Sequence, residues 1–248
     1  MFVYFAGIKK IFLEIAMKRF VQLLVSGIIC SSLYSQNILE THNANVTLTE
    51  EQCYDVIKTA WDGLKKLSEQ YSEEITAKNE FESSAEFAER TRKAKEQFVD
   101  RIGKFAADYK LNERIFSVWL KAELVKYDAD NQIYNVKSPT EILIQPKKSD
   151  IAVTCAQNKY ATIYEKNQKG YRRANLRLNT DPEFSWFVNK QTAQSAKNKE
   201  QAMYFKLWFA LNVSVNESDN QIVLQIVPIR LALMDQNENF TYWSEDIR

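Results

Sequence analysis

The sequence predicts an α+β fold: an N-terminal helical hairpin packed on a largely antiparallel sheet, with helices inserted between later strands. Two patterns carry this. Between residues 49 and 110, apolar residues recur every three or four positions behind two capping boxes. From Arg114 onward the apolar residues alternate instead, in stretches separated by Asx-rich turns.

The N-terminus reads as an address. Lys18-Arg19 precedes an apolar run from Phe20 to Ile29, and small residues lead to Ser35-Gln36. That is a basic n-region, a short h-region and a small residue before the cut, so residues 1–35 are expected to be a signal peptide, with Met17 as the true start. A spanning anchor over residues 2–29 is interrupted by Lys9, Lys10, Glu14, Lys18 and Arg19. A lipid anchor on Cys30 is the lesser reading, because Ile29 stands where a small residue is wanted. The expected location is periplasmic or secreted, with no membrane span after cleavage. Residues 36–48 read as a polar arm that holds the only histidine, His42.

Residues 49–110 read as a helical hairpin. Thr49-Glu-Glu-Gln52 and Ser83-Ser-Ala-Glu86 are the two capping boxes. The first helix should run to about Tyr71 with Cys53, Ile57, Ala60 and Leu64 on its stripe. The second carries Phe87, Ala94, Phe98, Ile102 and Phe105. Residues 111–248 read as the sheet region, one domain with the helices. Phe116, Val118, Leu120, Ala122 and Leu124 share one parity, and Asp128-Ala-Asp-Asn131 turns the chain back through Ile133 to Val136. Glu141–Gln145 is a short strand closed by Pro146. Ala152, Cys155, Ala156, Lys159 and Ile163 predict a helix over 149–166, and residues 171–179 a half-exposed strand. Asp181-Pro182-Glu183 predicts a helix start. Met203 to Val215 gives the cleanest alternation, followed by a turn, a strand over 222–234 with a bulge or edge at Pro228, and a last turn at Asp235–Asn239.

Composition removes several function classes. A net charge of +1 gives no basic field for nucleic acid. Of five glycines, three follow Gln36, which leaves no phosphate-cradling loop and no cofactor fingerprint. Asp128-Ala-Asp130-Asn131 opens like a calcium loop, but Gln132, Ile133 and Pro139 occupy the positions that should ligate or turn, so no metal is expected. Cys53 and Cys155, both expected on helices, form either a disulfide or two buried thiols. Glu123, Asp128, Asp130, Glu141 and Asp150 are the acids that a carboxylate enzyme would draw on. Tyr171, Arg173, Arg177 and Trp186 make a basic and aromatic region suited to an anionic ligand. Trp119, Trp208 and Trp243 fall on strands, where burial under a helix is the simpler expectation than an outward ring.

The segment Phe81-Glu-Ser-Ser-Ala-Glu-Phe-Ala-Glu-Arg90, followed by Tyr127-Asp-Ala-Asp-Asn131, resembles a recurrent pattern of uncharacterised exported Gram-negative envelope proteins. It spans residues 81–145. The resemblance implies export and a helix-then-hairpin order, and no activity. The expected function is a non-catalytic envelope or secreted interaction module, with an envelope protein or surface glycan as partner and no cofactor. A carboxylate-based hydrolase and a binding protein for an anionic ligand are the two other readings.

Overall fold

The computed structural model describes residues 38–41, 43, 45–145, 151–168, 171–180, 184–216 and 218–247. The segment 1–35, expected to be a signal peptide, and His42 lie outside them. Ile38–Thr41 is a single helical turn within one unit, Met1–Thr41; His42–Arg248 is a second compact unit.

Two long helices open the second unit. In α1, Glu50–Glu74, the Thr49 hydroxyl accepts from the Gln52 N–H while the Gln52 side chain accepts from the Thr49 N–H. Ser83 and Glu86 repeat the exchange at the start of α2, Ser84–Asp108. Each box satisfies helix-end donors that would otherwise lack partners. The apolar stripes face each other and the sheet: Cys53, Ile57, Ala60 and Leu64 are buried on α1, Phe98 and Ile102 on α2. Tyr71 stacks on Phe98 with ring centres 4.4 Å apart. Arg101 forks onto Glu74 through two 2.7 Å bonds. Arg90 donates to the Glu74 and Thr76 carbonyls and to Glu82, closing the C-terminal end of α1.

Among the described residues eleven strands follow in three sheets. The largest runs β1 (Phe116–Lys121), β9 (Met203–Val215), β10 (Ile222–Asp235) and β11 (Phe240–Asp246), all antiparallel; β5 (Ile151–Cys155) joins β10 in parallel. A second sheet is β2 (Glu123–Asp128), β3 (Ile133–Lys137) and β8 (Phe184–Phe187). The third is β4 (Glu141–Gln145), β7 (Tyr171–Leu178) and β6 (Ala161–Gln168). The fold is α+β and largely antiparallel, as the alternation requires. The expected strand from Phe116 to Leu124 keeps one buried parity throughout but changes sheet at Ala122, whose N–H donates to the Met203 carbonyl. The last residue of the polar arm is not loose either. Leu48 is buried, donates to the Ser117 carbonyl and accepts from the Trp119 N–H, adding a bridge to the β1 edge.

Two helix expectations fail. Residues 149–166 are not helical where described: they hold β5, a turn and the start of β6. Asn158 makes the turn, its side-chain oxygen accepting from the Tyr160 and Ala161 N–H groups. Asp181–Glu183 lie outside the described residues, and Phe184–Phe187 pair with β3 as a strand. The inserted helix, α3 (Lys190–Asn198), is capped by Asn189 instead, with Ala193 and Ala196 buried.

The two sequence-similar hairpin turns share one mechanism. Asp128 accepts from the N–H groups of residues 130 and 131, and Asp235 from those of 237 and 238. Four residues after each Asp, Gln132 and Asn239 take positive φ values of 52° and 51°. Pro228 does mark a bulge: β10 pairs Pro228 with Phe209 but Arg230 with Trp208, leaving Ile229 extra. Cys53 and Cys155 are free thiols, so no bridge pins α1 to β5. Cys155 sits on a strand, not on a helix. Burial pushes Cys53 up to about 12 and Cys155 up to about 11, with Glu50 adding to the first.

Candidate functional site

Of the four residues expected to hold an anion, Tyr171 and Arg173 have their backbones on β7, and their side chains lie outside the description. Arg177 lies on the same strand, opposite Glu141 and Thr162, with its guanidinium 4.4 Å from the centre of the Tyr164 ring. Trp186 offers no open ring. It is 2% exposed on β8, held between Tyr134 and Tyr242 at ring distances of 6.3 and 5.4 Å. The sequence placed Trp186 with the arginines because they are close along the chain. β7 and β8 belong to different sheets.

Glu123 and Asp128 stand at the two ends of β2, Asp130 in the turn that follows, and Glu141 on β4. Glu123 pairs with Lys137 across the β2–β3 hairpin at 3.1 Å. Asp128 holds its own turn, whose hydrogen bonds depress its carboxyl, and Asp150 is outside the described residues. No group of three or more metal-ligating side chains occurs among the described residues. Two shallow grooves of about 680 and 790 Å³ open at the hairpin end of α1 and α2 around Glu74, Glu86 and Arg90. Their charges are spent internally: Glu74 on Arg101, Arg90 on Glu82 and two carbonyls, Glu86 on its capping box.

The residues that come together without having been expected to are on the large sheet. One face of β1 and β9 is wholly covered: Phe116, Val118, Leu120, Phe205, Leu207 and Phe209 have no exposure. The opposite face carries Trp119 and Lys121 from β1, and Tyr204, Lys206 and Trp208 from β9, all half-buried. Register sets them side by side: Trp119 opposite Lys206, and Lys121 opposite Tyr204. The bulge at Ile229 then shifts the phase of β10, so that Arg230 lies opposite Trp208 on this same face.

The geometry is a ladder of alternating rings and cations. Lys206 Nζ is 5.2 Å from the centre of the Trp119 ring and 4.7 Å from that of Trp208. The Arg230 guanidinium is 5.4 Å from the Trp208 ring centre. Lys121 lies 4.6 Å from the Tyr204 ring, and Tyr204 meets Trp119 edge-on at 6.1 Å. Each cation–ring contact is within cation–π range. The cations differ in what else they touch. Lys121 donates to the Glu200 and Gln201 carbonyls. Arg230 reaches Ser244 at 3.0 Å and the largely exposed Asp246 at 3.7 Å. Lys206 has no carboxylate partner among the described residues, and burial alone lowers its pKa below the usual lysine range.

Trp119 and Trp208 thus stay half-buried on the face opposite the covered core, with their rings against Lys206, while Trp243 packs against Tyr160 and Phe184. A residue-by-residue reading could have found one signal, the run Tyr204-x-Lys206-x-Trp208, which is the polar parity of the cleanest strand. No protein-family model matches the chain, and no curated protein or solved structure matches it.

Proposed function

We propose that this chain is an exported interaction module that works by binding, without turnover, through the open face of its five-stranded sheet. The observation that carries the reading is Lys206: a half-buried ammonium against two indole rings, with no counter-charge among the described residues. Burial disfavours a charged amine, and cation–π attraction offsets only part of that cost. A surface that keeps such a cation is set up for an anionic group supplied from outside. Export rests on the basic, apolar and small-residue segments that end at Ser35.

Two measurements test the reading. Cell fractionation should place the protein in the envelope or medium with Gln36 as its first residue; a full-length cytoplasmic protein overturns export. Affinity capture from envelope extract should recover a partner with the wild-type chain that is lost with the Lys206→Gln/Arg230→Gln double variant. Capture unaffected by that variant removes this face from the function. Substrate turnover that disappears on replacing one acidic residue removes the non-catalytic reading.

A further inference from the structure

Resting on that reading, we propose that the open face of the large sheet binds a linear polysaccharide bearing carboxylates. Sugar rings would lie on the Trp119 and Trp208 indoles while the carboxylates meet Lys206 and Arg230.

Three features select this occupant. The first is charge. Lys121, Lys206 and Arg230 project from one face, and Asp246 is the only acid that pairs with them among the described residues. Arg230 brings a planar fork that suits a carboxylate, and Lys206 a point charge with donors to spare. The second is shape. The ladder residues run in a row across β1, β9 and β10, and Asn212 and Gln225, paired with each other, keep polar, partly exposed side chains farther along the same face. A row of alternating rings and cations matches a ribbon-like polymer whose ring faces are apolar and whose edges are polar.

The third feature separates a polysaccharide from other anionic partners. An extended acidic peptide gains affinity by adding a strand to a sheet edge and placing side chains in pockets. Here β9 lies between β1 and β10, and the β1 edge is already bridged by Leu48, which bonds the Ser117 carbonyl and the Trp119 N–H. An anionic membrane would call for apolar side chains that project past the cations. The strongly exposed rings, Phe81, Phe187 and Phe240, are on the connection between α1 and α2, on β8 and on β11, and none of them belongs to the ladder. The ladder's own rings lie alongside its cations, which fixes them as a platform.

The test titrates the full chain with hexagalacturonate, with maltohexaose as the neutral control, and with poly-glutamate and anionic phospholipid vesicles as the other partners. Calorimetry and tryptophan emission read binding, with Lys206→Gln, Arg230→Gln and Trp208→Phe in parallel. Hexagalacturonate should bind, weaken with added salt, and exceed maltohexaose by at least roughly tenfold. Each charge variant should lose roughly tenfold with an unchanged melting temperature, as expected when one charge-assisted contact is removed. Equal affinity for the neutral sugar, or full affinity in the charge variants, overturns the proposal. Poly-glutamate or vesicles binding in its place, with sensitivity to Lys206→Gln, overturns the polysaccharide and leaves the binding face standing. No binding to any probe, together with envelope capture that the double variant leaves unchanged, overturns both.

Discussion

Gly63→Ala should destabilise the protein although alanine is the better helix former. Gly63 lies inside α1, where replacing glycine by alanine is worth about 1 kcal/mol through backbone entropy alone. A Cβ there would stand 2.5 Å from Phe105 Cζ on α2 and closer still to Cε2. Real Cβ atoms do not approach a ring carbon so closely, so the Phe105 ring must swing outward. It would lose its packing on α1 and disturb its tilted contact with Tyr109, now at 4.8 Å. Overpacking of this kind costs about 1–3 kcal/mol, which leaves a net loss of up to about 2 kcal/mol. Gly103 on α2 is the internal control, because a Cβ there meets nothing within 4 Å. Gly103→Ala should therefore stabilise by up to about 1 kcal/mol. In urea and thermal unfolding the two variants should move in opposite directions, by about 2–4 °C per kcal/mol for a unit of this size. In a Phe105→Ala background, Gly63→Ala should change sign and stabilise. If Gly63→Ala is as stable as Gly103→Ala in the wild type, or if Phe105→Ala leaves its sign unchanged, the close approach of the two helices is wrong.

Thr49→Ala and Ser83→Ala should each lower unfolding free energy by about 0.5–2 kcal/mol, because each removes a capping box; circular dichroism melts check this. Phe98→Ala, which deletes a fully buried ring stacked on Tyr71, should cost about 3–5 kcal/mol in denaturant titrations. The helical hairpin should loosen in acid. Glu89, held down to about 2 by hydrogen bonds from Arg92, and Glu74, depressed by Arg101, have folded pKa values below their unfolded ones. Their contribution is complete above the unfolded carboxylate range near pH 4.3 and is lost as pH falls toward 2, so the melting temperature should drop across that window. A melting temperature flat from pH 5 to 2 would refute it. Cys53 should resist alkylation at pH 8 until the protein unfolds, and added reductant should leave the melting temperature unchanged.

The starts of α1 and α2 were legible because capping is local chemistry. Thr49 with Gln52, and Ser83 with Glu86, act across three residues, and both boxes form where the pattern places them. The hairpin turns at Asp128 and Asp235 were legible for the same reason. The segment 149–166 misled because Ala152, Cys155, Ala156 and Lys159 recur at a spacing that mimics a helix. The deciding forces there are non-local: β5 is held by parallel pairing with β10, about seventy residues away in sequence. The Asx turn at Asn158 was the one local clue.

By itself, then, the sequence determined the helical hairpin, the alternation over Met203–Val215 and the turns at Asp128 and Asp235, since each depends on residues a few positions apart. The tertiary structure alone decided which outward side chains became neighbours. Trp119, Lys206 and Arg230 meet through the β1–β9 and β9–β10 registers and a bulge at Ile229 that reverses the phase of β10. A period of two says which face a residue takes, while its cross-strand partner is set by long-range pairing that no local pattern encodes.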